Sequence, residues 1–216
     1  MDDRMRVAVL VENHPYDVVG FQTMLDSFTD CETFVQPLDL FIQDGENKQT
    51  YSVVLWYNMH WDPPAKNSIL HTYMEQELGK TGQGVVLLHH ALLCFQDWDI
   101  FTGVCGLRNR GGVSFTYTQN KMVKEHIVDR EHPITTGLSD FTVIDETYTV
   151  GEPEEKGNRF LITTDTSGSM KHIAWTRQYQ NSRVFCYASG HDNRVYGDPN
   201  FRRILHRGLR WAGGLL

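Results

Sequence analysis

Four uninterrupted apolar runs, at residues 6–11, 53–57, 84–88 and 184–188, most constrain what this chain can become. A strand with one wet face alternates apolar and polar residues, so a run without alternation predicts a strand covered on both faces, as in a parallel sheet. Between the runs the period changes. Val18, Phe21, Leu25 and Phe28 recur at helical spacing, 33–38 reads as a further strand, and Ile69, Leu70, Tyr73, Met74 and Leu78 line a second helix. Asp62 with Pro63 is the predicted start of that helix and Gly79 its end. The β-α-β-α-β order requires right-handed crossovers and puts helices on both sides of the sheet. The strands then end along one edge, at His14, His60, His89 and His90.

The second half is strand-rich. Runs at 113–118, 121–128, 141–150, 160–164 and 172–176, joined by Gly, Asn and Asp turns, predict antiparallel additions to the sheet. The run at 184–188 then leads through Ser189-Gly190 to His191. Asp198 caps a final helix that starts at Pro199, with Phe201, Ile204, Leu205, Gly208, Leu209 and Ala212 on one face and Gly213-Gly214 as its stop.

The 216 residues show no linker, repeat or low-complexity tract, which predicts a single domain over 1–216. A net charge of -7 with scattered lysines and arginines argues against a nucleic-acid partner. A mean hydropathy of -0.40 and the lack of a long apolar stretch argue against a membrane span. The amino terminus lacks the pattern of a signal peptide, and four widely spaced cysteines suggest neither a zinc knuckle nor a disulfide framework, so a cytoplasmic location is expected.

Ten histidines stand against 20 lysines and arginines, and their placement matters more than their number. His14, His60, His89, His90 and His191 all follow strand-like runs, and Asp145-Glu146 lies in a strand beside Tyr148. Imidazoles and a carboxylate exchange protons near neutral pH, which suits general acid/base chemistry. The competing reading has these histidines capping helices or bonding loop carbonyls. Side-chain alternation lets one of Asp145 and Glu146 face a cleft, and Glu146 is favoured because it shares parity with Ile144 and Tyr148. The same residue types suit zinc or a similar divalent ion, with His14, Glu146 and His191 as candidate ligands; no local metal motif supports this, and the absence of any cofactor is the alternative. Asn58, His60, His89, Tyr148, Trp175 and Arg177 are candidate substrate contacts, with core packing and a surface ion pair as the rival account of Trp175 and Arg177.

A nucleophile elbow requires Gly-x-Ser-x-Gly or its cysteine equivalent, whereas the turn here reads Leu88-His89-His90-Ala91-Leu92. Gly79-Lys-Thr-Gly-Gln-Gly84 precedes a strand and is not a phosphate cradle.

Gly82-x-Gly84-Val-Val-x-Leu-His89-His90-Ala91, His132-Pro-Ile-Thr-x-Gly-Leu138 running into Asp145-Glu146-x-Tyr148, Trp175-x-Arg177, Ser189-Gly190-His191 and Arg207-Gly-Leu-Arg-Trp-Ala212 form an ordered set across nearly the whole chain. Together they resemble the ThuA-like, or trehalose-utilisation, family of the class I glutamine amidotransferase-like superfamily. The resemblance implies a flavodoxin-like three-layer α/β sandwich, mainly parallel, with antiparallel strands in the carboxyl-terminal half. It places His89 or His90 where amidotransferase relatives carry cysteine, which argues against glutaminase activity. It implies carbohydrate catabolism: a hydrolase or lyase acting on a sugar or glycoside, including 3-keto forms, with a small-molecule carbohydrate as partner and self-association from the superfamily. On that basis His90 or Glu146 is the expected base, His191 an acid or ligand, and His14 with Arg177 the positioning groups. A non-catalytic sugar-binding or regulatory module, or an amidotransferase-like subunit, is the alternative.

Overall fold

The predicted alternation of strands and helices is present in the computed structural model of the chain. It describes residues 4–108, 110 and 115–216; residues 1–3 of the amino-terminal stretch and 113–114 of the predicted 113–118 strand lie outside them. The order is β1 (Met5–Glu12), α1 (Val18–Asp26), β2 (Cys31–Gln36), α2 (Leu38–Gln43), β3 (Val53–Asn58), α3 (Ile69–Thr72), β4 (Gly84–Leu88), α4 (Asp99–Cys105), β5 (Thr116–Ile127), β6 (Phe141–Thr149), β7 (Asn158–Thr163), β8 (His172–Tyr179), β9 (Ser182–Tyr187), α5 (Asn193–Tyr196) and α6 (Pro199–Ala212). The strands form one mixed sheet in the order β2-β1-β3-β4-β9-β8-β7-β5-β6. β2, β1, β3, β4 and β9 are parallel, so Glu12, Asn58, Leu88 and Tyr187 end on a common edge.

The apolar runs are strands because both their faces are covered: every residue of β3 and of β4 is buried. α1, α5 and α6 form one layer and α2, α3 and α4 the other. α6 buries the six predicted residues, and the Asp198 carboxylate accepts from the backbone N–H of Asn200 and Phe201. Asp198→Ala orphans those donors and is expected to lower stability by about 1 kcal/mol, measured by urea unfolding. Gly208 lets α6 approach the sheet; a Cβ there would lie 2.2 Å from the Phe185 ring.

Two expectations are corrected. The second helix starts at Ile69 with Ser68 as its cap, whose hydroxyl accepts from His71 N–H, and it runs into a π-type turn over Tyr73–Glu77; Asp62 caps nothing there. The runs at 113–118 and 121–128 belong to one strand, β5, interrupted by a register shift between Thr118 and Lys121. β5 pairs with β7 only through His126 and Ile127, which frees the β5–β6 ribbon to lie against the carboxyl edge of the parallel strands.

Candidate functional site

The site begins with the turn after β9. Ser189 and Gly190 carry few side-chain atoms for packing, so the position of the turn is set largely by hydrogen bonds from several directions. The Asp145 carboxylate on β6 accepts from Gly190 N–H (2.8 Å) and His191 N–H (3.0 Å), and from Glu146 N–H (2.8 Å). The Tyr57 hydroxyl donates to the Gly190 carbonyl at 2.6 Å, and the Tyr196 hydroxyl to the His191 carbonyl at 3.0 Å. The Ser189 hydroxyl meets Glu125 at 2.7 Å, and His89 Nδ1 donates to the Ala188 carbonyl at 2.7 Å. Gly190 has a φ of +133°, a backbone conformation unfavourable to larger residues.

Opposite this turn stands His89, directly after β4, with a φ of +53° in the left-handed region. Such a conformation in a histidine costs of order 1 kcal/mol or more and persists where the surroundings enforce it. Gly-x-Ser-x-Gly is absent, yet the sharp strand-end turn is there, with His89 at its apex. Its Nδ1–H is committed to Ala188, so the Nε2 lone pair points into the site. The Tyr148 hydroxyl donates to Nε2 at 2.7 Å, His191 Nδ1 lies 3.2 Å away, and Glu146 Oε1 lies 3.6 Å from His89 Nε2 and 3.7 Å from His191 Nδ1. Burial raises the Glu146 carboxyl pKa, but the adjoining imidazoles of His89 and His191 and the nearby Tyr148 hydroxyl outweigh it and hold the group down at about 2. Burial, followed by the Glu146 charge, pushes Tyr148 well above the usual phenol range, so it remains an O–H donor.

His14 and His90 stack beside this cluster with ring centroids 4.0 Å apart. His90 is fully buried, its Nε2–H donating to the Tyr57 carbonyl at 3.1 Å. His14 lines a cavity of about 220 Å³ together with Glu146, Tyr148 and the aromatic rings of Trp61, Phe115 and Tyr117. Its Nδ1 has no hydrogen-bond partner. Burial first, and then the charges of His89 and His191, lower its pKa below the usual imidazole value.

The structure therefore brings His14, His89, Glu146, Tyr148 and His191 together, with His90 behind His14. The metal-compatible group comprises His89, Glu146 and His191, with His14 outside it: the three ligand atoms lie within 4.8 Å of one another. Four candidates fall elsewhere. Asn58 is buried in β3, and its carbonyl accepts from the Cys94 thiol. His60 turns to Asn13 (3.2 Å) and Glu12 (3.4 Å) and stacks on Phe95. Trp175 is wholly buried and donates from Nε1 to the Cys105 carbonyl at 2.8 Å, while Arg177 bonds Asn158 at 3.2 Å. The reason is strand direction: β8 runs antiparallel to β9, pairing Arg177 with Val184 near the start of β9, so the end of β8 lies at the opposite edge of the sheet. The parity argument for Glu146 also fails in part. Ile144 is exposed, whereas Asp145 and Glu146 are both buried, on opposite faces of a ribbon covered on both sides at this point.

Sequence reasoning missed Asp145 as the clamp, the aromatic wall, and Glu125. Glu125 is wholly buried between the Tyr187 and Ser189 hydroxyls, each 2.7 Å away. Burial raises its carboxyl to about 8 against those two hydrogen bonds. In the unfolded chain the group ionises in the ordinary carboxyl range, so its contribution to stability is complete below that range and is lost as pH rises through about 8. Glu125→Gln keeps the shape and a donor, and is expected to flatten this loss, read as thermal midpoints between pH 5 and 9. An unchanged pH slope in the variant would assign the dependence elsewhere.

This mixed α/β sandwich is similar in fold to glutamine amidotransferase-like structures. The PurLQS structure of Thermotoga maritima shares it with a TM-score of 0.55 at 14% identity, over 96% of this chain and 99% of that one. Within that class the chain belongs to the ThuA family, described as trehalose utilisation, which it matches over residues 21–212. A ThuA-like protein of Parabacteroides merdae superposes with a TM-score of 0.75 at 18% identity, covering 97% of this chain and 90% of that chain. One from Bacteroides uniformis gives 0.71 at 19% identity, covering 97% and 91%. A search of curated proteins found no match.

Proposed function

We propose that this chain acts on a carbohydrate, a sugar or glycoside carrying a 3-keto group, by proton transfer in the His14 cavity. The observation that carries the reading is His14 itself: an imidazole whose pKa is lowered by burial, on the wall of a cavity that also offers aromatic faces and a phenol donor. Aromatic rings suit the apolar faces of a sugar, and an imidazole near its working pKa is an effective base. His14 takes the proton from the carbon next to the ketone; the electron pair moves into the enolate, and the glycosidic oxygen leaves with a proton from the His191–Tyr148 side of the cavity. His14 thus assumes the role expected of His90, whose ring has no path to the cavity.

Glutaminase chemistry gains no support, because Cys94 is buried, its thiol is pushed to about 12, and it donates to a backbone carbonyl. No helix among the described residues is long and apolar enough to cross a membrane, and the four cysteines are buried free thiols, in keeping with work in the cytoplasm. The test offers purified protein 3-keto and ordinary disaccharides. Turnover of the keto sugar that is lost in His191→Ala is expected; no turnover of either sugar, together with unchanged sugar affinity in that variant, would overturn the reading and leave a non-catalytic module.

A further inference from the structure

We infer that His89 Nε2, His191 Nδ1 and Glu146 Oε1 form a tetrahedral-type site for one zinc or similar divalent ion, its remaining position facing the sugar cavity. The three atoms stand 3.2, 3.6 and 3.7 Å apart. Ligands held about 2.0–2.1 Å from a tetrahedral zinc are about 3.3–3.4 Å from one another, so the triangle already has the size the ion requires. Two imidazoles and one carboxylate with an open position is a donor set suited to a catalytic zinc.

The supports behind the three ligands are also in place. His89 Nδ1–H is fixed by the Ala188 carbonyl at 2.7 Å, which leaves Nε2 as the lone-pair nitrogen. The Asp145 carboxylate fixes the backbone at both His191 and Glu146. His89 Nε2 is approached at once by the Tyr148 hydroxyl, His191 Nδ1 and Glu146 Oε1, more groups than one lone pair can satisfy. A cation would relieve that crowding by taking the lone pairs and the negative charge, releasing the hydroxyl of Tyr148, which already lines the cavity, from His89.

A second triplet, Asp30, Cys31 and His206, also lies within reach of one ion but is already engaged. His206 Nε2 bonds Asp30 Oδ1 at 2.5 Å, and the Arg210 guanidinium lies 3.5 Å from Asp30 Oδ2, where it repels a cation.

The metal site rests on the same residues as the sugar-processing reading and deepens it, since a bound divalent ion polarises a sugar carbonyl or hydroxyl as a Lewis acid. The test needs no sugar. The full chain, stripped with a chelator, is titrated with Zn²⁺ by calorimetry and with Co²⁺ by visible absorption. One ion per chain is expected, with the absorption of a low-coordinate cobalt centre. His191→Ala and Glu146→Gln should each weaken binding by more than about 100-fold, beyond the roughly 10–100-fold that the loss of a supporting group costs. Tyr148→Phe should bind at least as tightly as the parent, because a competitor for Nε2 is gone. If a ligand variant fails to fold, zinc-induced shifts of the His89 and His191 imidazole resonances in the parent protein serve instead. No zinc binding, binding undiminished in both ligand variants, or binding lost in His206→Ala instead would overturn the site. Zinc binding with no sugar turnover would sustain the metal site and remove the sugar reading; turnover undiminished in chelated protein would do the reverse.

Discussion

Asp145→Ala is expected to lower the unfolding free energy by about 3–5 kcal/mol, because it strips one buried carboxylate from three backbone N–H groups that have no other acceptor at hand. For a chain of this size that is a fall in melting temperature of roughly 6–20 °C. Asp145→Asn should cost less: Oδ1 can still accept from Glu146 and His191, and only the Gly190 bond to Oδ2 meets an amide where it needs an acceptor. The functional effect should exceed the loss of stability. With the clamp gone the His191 turn is held only through its carbonyls and Ser189, and a displacement on the order of 1 Å of one group in such a cluster costs about 100-fold in rate. Urea unfolding and sugar turnover of both variants check this; an alanine variant as stable as the parent would mean that the ribbon does not clamp the turn.

The second large effect concerns His14. His14→Ala should reduce turnover by about 10²–10⁴-fold, the usual contribution of a positioned base, with little change in melting temperature. Because burial and the neighbouring imidazoles lower its pKa, His14 keeps its lone pair to a lower pH than a free imidazole. The acid limb of kcat/KM should therefore fall below pH 6.5, the ordinary imidazole value, and disappear in the variant. His90→Ala should act differently. It removes the ring on which His14 stacks and leaves a buried cavity, so the loss should appear in stability as well as in turnover.

The parallel half was legible because burial on both faces writes itself into composition: β1, β3, β4 and β9 read as continuous apolar runs, and α6 announced its cap, its face and its stop. The histidines at strand ends were legible for the same reason, since parallel strands share an edge. What failed was direction and distance. Trp175 and Arg177 end a strand-like run as His191 follows one, but the run at 172–176 was expected to be antiparallel, and an antiparallel strand ends at the opposite edge of the sheet. Parity along β6 misassigned Ile144 because the rule assumes a ribbon with one wet face, and this one is covered on both sides around Asp145 and Glu146. Glu125, Trp61, Phe115 and Tyr117 reach the site or its supporting turn only through the fold, Glu125 meeting Ser189 across 64 residues, and no local pattern marks them.

The most direct test of the central claim, that His14 removes a proton next to a sugar ketone, is hydrogen exchange in heavy water. A 3-keto glycoside incubated with the protein in D₂O should gain deuterium at the carbon beside the ketone, or release its glycosidic group, at a rate the His14→Ala variant does not reach. A sugar that stays fully protonated and intact with the parent protein, or that exchanges equally fast with the variant, would contradict it.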